Sequence, residues 1–382
     1  MRVLVEGSGG AHGWPRPGCR CASCLRKESD GAPRARSAIV VDEALRIAAG
    51  GGPGAADGGG PDAADGAEGS YWTGGERARM DFRVQPVPDV RGPGRAGGWD
   101  VTSAAGERLL YPAGPGSSPD PPDGAERYDI AFLDLLGDPA QLGRLRARGL
   151  ITAGTITAVA FADHRVPGEQ ELARRAACWR ASVPADGENV TPVRSDQKEA
   201  AGGGGRPWRV LVLGGARSGK SERAELRLAG EADVTYVATG PDGAGDAEWA
   251  ARVAAHKARR PAWWRTVETT DLAGVLASAR GAVLIDGIGT WLAAELDDCG
   301  AWDGPAGRDR LAARTAALIA AWRQTRARVI AVSDETGLGV VPGTAAGRLF
   351  RDELGRLNQA LAAESEETEL VMAGRPVLLA GW

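Results

Sequence analysis

The eight residues Gly214-Gly215-Ala216-Arg217-Ser218-Gly219-Lys220-Ser221 satisfy the spacing G-x-x-x-x-G-K-[ST]. The chemistry that suits this pattern is the grip on a polyphosphate. Glycines let successive backbone N–H groups curl around phosphate oxygens, and a helix starting at the end of the run adds partial positive charge. Lys220 would reach the β- and γ-phosphates, and the Ser221 hydroxyl would take a Mg²⁺ position. The alternative, a glycine-rich turn beside a surface lysine, needs no apolar strand before it and no helix-forming run after it. Both are present, in Arg209 to Leu213 and Glu222 to Leu228. The residues point to a nucleoside triphosphate.

Three further groups of residues have chemistry to offer. His256 lies between Arg252 and Arg260 at helical spacing, with Trp249 and Val253 on the inward side. Flanking cations should keep its imidazole neutral and nucleophilic and would hold a triphosphate against it. Read as a segment alone, it equally describes a solvated basic helix face. Val283 to Asp286 and Arg328 to Glu335 are apolar strands ending in acids, so either Asp286 or Asp334 could hold Mg²⁺ or merely cap a following helix; spacing alone does not choose, and the general P-loop layout favours Asp286. Cys19, Cys21 and Cys24 have the spacing C-x-C-x-x-C of soft metal ligands. With His12 or His164 they would make a tetrahedral Zn²⁺ site, and without a metal they are reduced thiols in a turn.

The elements that must position these residues are legible in outline. From Trp208 onward, strands at Arg209–Leu213, Val234–Ala238, Ala282–Ile285, Arg328–Val332 and Glu369–Met372 alternate with helices, notably Asp246–Arg260, Arg308–Ala327 and Ala345–Ala363. That alternation predicts an α/β fold with a mostly parallel sheet and helices on both faces. Residues 183–207 are polar and glycine-rich and read as a flexible linker, which divides the 382 residues into a region 1–182 and a domain 208–382. Region 1–182 has strand-like ends, and the glycine and proline between Gly50 and Gly124 predict a poorly ordered or inserted middle. A net charge of -4 argues against a nucleic-acid binder. No apolar run is long enough for a membrane span, and Met1 to Glu6 reads as a strand, so the expected compartment is the cytoplasm.

Several motifs together resemble a known family. To the phosphate loop are added Tyr236-Val-Ala-Thr239, Arg252 to Pro261, Trp264 to Glu268, Gly337 to Pro342 and Phe350 to Gln359. In this order they resemble the bifunctional adenosylcobinamide kinase / adenosylcobinamide-phosphate guanylyltransferases of cobalamin biosynthesis, from Arg209 to about Leu379. The resemblance implies a P-loop NTPase-type domain that phosphorylates adenosylcobinamide with ATP or GTP. It also implies transfer of GMP from GTP to adenosylcobinamide phosphate through guanylylated His256. It places nucleotide contacts on the loop, on Thr239 and Gly240, on Lys257, Ala258, Arg259 and Arg260, and on Glu268, and it implies a trimer. Two positions depart from the family pattern: Asp334 where Asn is common, and Gly287-Ile288 after the strand-end acid. Neither removes a nucleophile or a phosphate ligand. The residues alone also accommodate a P-loop kinase of another small hydroxyl substrate, or a non-catalytic nucleotide-binding module.

The N-terminal region is similar to metallo-β-lactamase-fold hydrolases of the phosphodiesterase type. The likeness rests on the cysteine cluster followed by Arg34-Ala-Arg-Ser37, on Tyr128 to Asp134, and on Ala162 to Arg165. The catalytic H-x-H-x-D-H motif of those enzymes has no counterpart between Gly50 and Gly75, and the region holds only His12 and His164. The resemblance therefore implies a smaller, degenerate α/β companion without hydrolase activity.

Overall fold

The computed structural model describes residues 1–49, 70–73, 81–192, 208–240 and 247–381. The chain divides into two compact units, Met1–Gly203 with Gly230–Ala232, and Gly204–Ala229 with Asp233–Trp382. Among the described residues no helix is long and apolar enough to cross a membrane.

The N-terminal unit is built from β1 (Val3–Gly7), α1 (Ala22–Ser29), β2 (Ala38–Val41), β3 (Leu45–Ala49), β4 (Ser70–Thr73), β5 (Phe82–Asp89), β6 (Gly92–Ser103) and β7 (Arg108–Pro112). It continues with β8 (Ile130–Leu133), α2 (Ala140–Ala147), β9 (Ile156–Val159), α3 (Glu169–Trp179) and β10 (Asn189–Val190). These strands form two five-stranded sheets, β10-β1-β2-β3-β4 and β5-β6-β7-β8-β9. Val3, Val5, Ile39 and Ile47 of the first share one core with Val101, Leu109, Ile130 and Phe132 of the second.

Two expectations are corrected here. Residues 82–112, expected to belong to a loose middle, form three antiparallel strands. Their alternating side chains reach the core despite the many glycines and prolines, because Gly97 and Gly98 sit where a Cβ would collide with neighbouring backbone. The expected linker also starts too early. Val190 pairs with Val3, and the Asp186 carboxylate accepts from the Ser8 amide at 2.8 Å, so the sheet continues past residue 183. Residues 193–207, most of that linker, lie outside the described residues, as do 50–69 and 74–80 of the expected loose middle.

The C-terminal unit contains β11 (Trp208–Gly214), α4 (Lys220–Leu228), β12 (Val234–Ala238), α5 (Ala247–Arg259), β13 (Arg265–Glu268), α6 (Leu272–Ser278) and β14 (Ala282–Asp286). Then follow α7 (Ile288–Asp298), α8 (Pro305–Gln324), β15 (Arg328–Asp334), α9 (Ala345–Ala363), β16 (Glu367–Met372) and β17 (Arg375–Gly381). The sheet order is β13-β12-β14-β15-β11-β16-β17, with every pairing parallel except β16 with β17. Its central strands are apolar on both sides because both faces are covered. Leu211, Leu213, Val329 and Val283 pack under Leu272, Trp291, Leu318 and Leu357 of α6 to α9. Val210, Val212, Ile330 and Leu284 face Ala224 and Leu228 of α4. Strands β13 and β17 were not expected. Both are edge strands, and β13 is too polar and exposed to carry an apolar signature.

Parallel pairing brings the carboxyl ends of five strands to one rim. Gly214 is in register with Asp334, Asp286 with Val332, and Ala238 with both Asp286 and Glu268. In an open α/β sheet this rim is where ligands bind.

Candidate active site

The phosphate loop joins β11 to α4, the two elements that the apolar run and the helix-forming run demand. Gly214 admits no side chain, since a Cβ there would lie 2.4 Å from Ser218 Oγ and 2.8 Å from the Val371 carbonyl. Gly219 has φ 93°, the left-handed region that favours glycine, and Arg217 shares it at 55°. Ser218 Oγ is buried without a hydrogen-bond partner, as expected of a hydroxyl waiting in a polyphosphate cradle. Lys220 begins α4. Its Nζ donates to the Gly215 carbonyl at 3.0 Å and pairs with Asp334 Oδ1 at 2.9 Å.

Asp286 collects the remaining groups. The Ser221 hydroxyl donates to its Oδ1 at 3.3 Å, the Tyr236 hydroxyl donates to Oδ2, and His256 Nδ1 stands 3.2 Å from that same Oδ2. Burial pushes the Asp286 carboxyl up, but the hydrogen bonds from His256, Tyr236 and Ser221 outweigh it and hold the group below the usual carboxylate range. Burial, with the Asp286 charge beside it, pushes the Tyr236 phenol up, so it stays a donor. The two strand-end acids thus have different neighbours: Asp286 lies against Ser221 and Asp334 against Lys220. Ser221 and Asp286 together offer a hard cation two oxygen donors, a set that suits Mg²⁺ completed by water and phosphate oxygens.

The environment of His256 differs from the one expected. Arg260, one of the two cations expected to flank it, is turned to another partner, and so is the adjacent Arg259. Arg259 Nε pairs with Glu225 Oε2 at 3.1 Å, and the Arg260 guanidinium lies 3.3 Å from the centre of the Tyr236 ring. Carboxylates face the imidazole instead: Asp286, and Glu225 at 4.0 Å. Burial pushes the Glu225 carboxyl up while Arg259 opposes that shift. The side chains of Arg252 and Trp249, expected to flank His256 and to pack inward, lie outside the described residues, as does Asp246.

The other expected contact residues fall along the same rim. Lys257 pairs with Glu268 at 3.3 Å, and both line a cleft of about 500 Å³ together with Arg260, Trp264 and Thr266. Ala258 is exposed on α5, and Gly240 follows Thr239 at the end of β12. Thr239 is buried, with its hydroxyl donating to the Gly287 carbonyl at 2.6 Å and accepting from the Gly287 amide at 3.1 Å. It therefore braces the turn that carries Asp286. Sequence reasoning assigned no role to Tyr236 or Glu225. Glu225 had a signal, since it stands four residues after Ser221 on one helix face. Tyr236 stood out only as the first residue of a motif, and nothing pointed to its partner 50 residues away.

In the N-terminal unit the Sγ atoms of Cys19, Cys21 and Cys24 lie within 4.8 Å of one another, and neither His12 nor His164 joins that group. Cys21 caps α1 and accepts from the Cys24 amide, which lowers its thiol pKa, whereas burial raises that of Cys24 to about 11. Three soft donors this close are compatible with one Zn²⁺.

Residues 210–379 match the family model described as cobinamide kinase / cobinamide phosphate guanyltransferase. The chain is similar to the bifunctional adenosylcobalamin biosynthesis protein CobP of Pseudomonas aeruginosa, at 45% identity over 179 residues, covering 45% of this chain and 98% of the relative. It is also 39% identical over 175 residues to the bifunctional adenosylcobalamin biosynthesis protein CobU of Escherichia coli, covering 43% of this chain and 96% of the relative. The same protein of Salmonella typhimurium matches at 39% identity over 175 residues. The family match falls in the C-terminal unit, apart from Gly230–Ala232.

Proposed function

Since the chain belongs, through residues 210–379, to the cobinamide kinase / cobinamide phosphate guanyltransferase family, we propose that its C-terminal unit runs two consecutive reactions of cobalamin biosynthesis. In the first, the free hydroxyl oxygen of adenosylcobinamide attacks the γ-phosphorus of ATP or GTP. The bond to the β-γ bridging oxygen breaks, the nucleoside diphosphate leaves, and the hydroxyl proton is released. In the second, His256 Nε2 attacks the α-phosphorus of GTP; an N–P bond forms and pyrophosphate departs. A phosphate oxygen of adenosylcobinamide phosphate then attacks that phosphorus, the N–P bond breaks, and adenosylcobinamide-GDP leaves with the imidazole restored. Splitting the displacement through a covalent intermediate replaces one difficult step by two easier ones.

The residues divide the work. The loop from Gly214 to Ser221 wraps phosphate oxygens with backbone N–H groups, and Lys220 moves from Asp334 onto the nucleotide as charge develops. Ser221 and Asp286 would hold Mg²⁺, which supplies charge neutralisation on the phosphates. Lys257, Arg260 and Glu268 line the cleft in which we place the rest of the nucleotide.

One observation carries the reading. His256, the only histidine of the unit, is a single carboxylate away from the phosphate-loop serine. The test is intact-protein mass spectrometry after incubation with GTP and Mg²⁺. The wild type should gain a GMP-sized increment, and His256→Asn should not, while retaining measurable phosphorylation of adenosylcobinamide. An increment that persists in His256→Asn places the nucleophile elsewhere.

For the N-terminal unit we infer a degenerate metallo-β-lactamase-like module. Its two-sheet core supports this, as do the three clustered thiols that would hold one Zn²⁺ as a structural ion. We also infer that the C-terminal unit assembles as a trimer, on family resemblance.

A further inference from the structure

Asp286 is positioned to do more than face a cation. Its Oδ2 is 3.2 Å from His256 Nδ1, and an ionised carboxylate only accepts, so the contact requires the proton to be on Nδ1. The lone pair is then on Nε2, pointing away from the carboxylate. The carboxylate itself has little freedom. It ends a central strand, the Tyr236 hydroxyl holds the oxygen that meets His256, and the Ser221 hydroxyl holds the other. Glu225, the other acid near Nδ1, is 4.0 Å away and already engaged by Arg259.

We infer that Asp286 is a positioning residue for His256: it fixes the Nδ1–H tautomer, aims Nε2 as the nucleophile, and is itself aligned by Tyr236. This rests on the proposal that His256 carries GMP. The charge balance explains the gain. When Nε2 bonds phosphorus, the ring keeps its Nδ1 proton and becomes a cationic phosphoramidate. That positive charge appears beside a carboxylate already in place, and the neutral ring before attack has no comparable charge to stabilise. The interaction is therefore stronger in the transition state than in the ground state. The same carboxylate also touches Ser221, so the kinase and guanylylation machinery meet at Asp286.

The tautomer can be read without turnover. Long-range proton–nitrogen correlation spectra of protein labelled with ¹⁵N-histidine, free of nucleotide and at a pH where the ring is neutral, report which nitrogen bears the proton. The signals of His256 are those lost in His256→Asn. Wild type should show Nδ1–H with an unprotonated Nε2. Asp286→Asn can offer its amide N–H to the ring, so the proton should shift to Nε2. Its single-turnover formation of the GMP adduct should fall by about 10²-fold or more, in the range of a lost general-base alignment. Tyr236→Phe, which only frees the carboxylate, should slow adduct formation about tenfold, the worth of one hydrogen bond. An Nε2–H tautomer in the wild type overturns the inference. So does an unchanged tautomer in Asp286→Asn with an adduct rate within about threefold of wild type. If Asp286→Asn does not fold, the wild-type tautomer and the Tyr236→Phe rate still decide. Persistence of the adduct in His256→Asn would instead defeat the functional proposal, whatever the tautomer.

Discussion

Lys220 and Asp334 form a pair that the incoming nucleotide must open. The 2.9 Å contact satisfies the lysine without phosphate, and a triphosphate brings more negative charge to the same ammonium than one carboxylate can. Lys220 thereby becomes the mobile cation of the site, while Ser221 and Asp286 stay in place. Replacing Lys220 with Ala should cost about 10²-fold or more in phosphoryl transfer from ATP or GTP, because it removes the cation that the loop motif places against the β- and γ-phosphates. Steady-state kinase assays with adenosylcobinamide check this, and near wild-type rates would contradict the assignment of the loop. Asp334 also shows how a strand-end acid acquires its role. Its register partner is Gly214, which sets it beside the loop lysine, whereas Asp286 is one strand further out and meets Ser221 instead.

Helix α4 carries the phosphate loop's lysine and serine at one end and is fastened to β16 along its length. Arg223 donates to both oxygens of Glu369 at 3.0 and 2.8 Å, and Arg227 pairs with Glu367 at 2.6 Å and with Glu369 at 2.9 Å. Glu369 is 1% exposed, so this network replaces water for charges that could not otherwise be buried. Glu369→Gln removes the buried carboxylate that Arg223 and Arg227 share, Arg227 keeping Glu367, and should lower stability by about 3–5 kcal/mol. Thermal and denaturant unfolding at neutral pH measure it. Burial raises the Glu369 pKa, and the two arginines more than reverse that, so the folded value lies below the ordinary one. The contribution is therefore complete above the unfolded value of about 4.3 and is lost as pH falls through the folded value. The wild-type and Glu369→Gln stability curves should converge in acid below the folded value and reach their full separation above about pH 4.3.

At the scale of the whole molecule, two units with separate cores carry different chemistry. The C-terminal unit has the phosphate loop and the histidine. The N-terminal unit offers three thiols and, among the described residues, no cluster of histidines and acids able to hold two metal ions. Purified protein is expected to contain at most about one zinc per chain, to lose it in Cys21→Ser, and to leave a model phosphodiester intact. Metal analysis and a diesterase assay check this together. Two bound ions with diester hydrolysis would require a second, catalytic metal site in the unit.

Local features were legible before any fold was known. The loop from Gly214 to Ser221 is specified by its own backbone dihedrals and hydrogen bonds. The central strands of the C-terminal sheet announce themselves because burial on both faces demands an unbroken apolar run. His256 stood out as the one imidazole in its half of the chain. What surrounds those residues depended on strand order, which no short segment encodes. Ser221 and Tyr236 reach Asp286 from 65 and 50 residues away: β12 beside β14 brings Tyr236 there, and the packing of α4 over the sheet brings Ser221. The same packing turned Arg259 onto Glu225 and Arg260 onto Tyr236, so the histidine expected beside Arg260 faces carboxylates. Strands β5 to β7 were hidden for a related reason. Their glycines look like disorder in one dimension and prove to be close backbone approaches in three. Motif chemistry is written in neighbours along the chain, and the electrostatics of the site in neighbours across it.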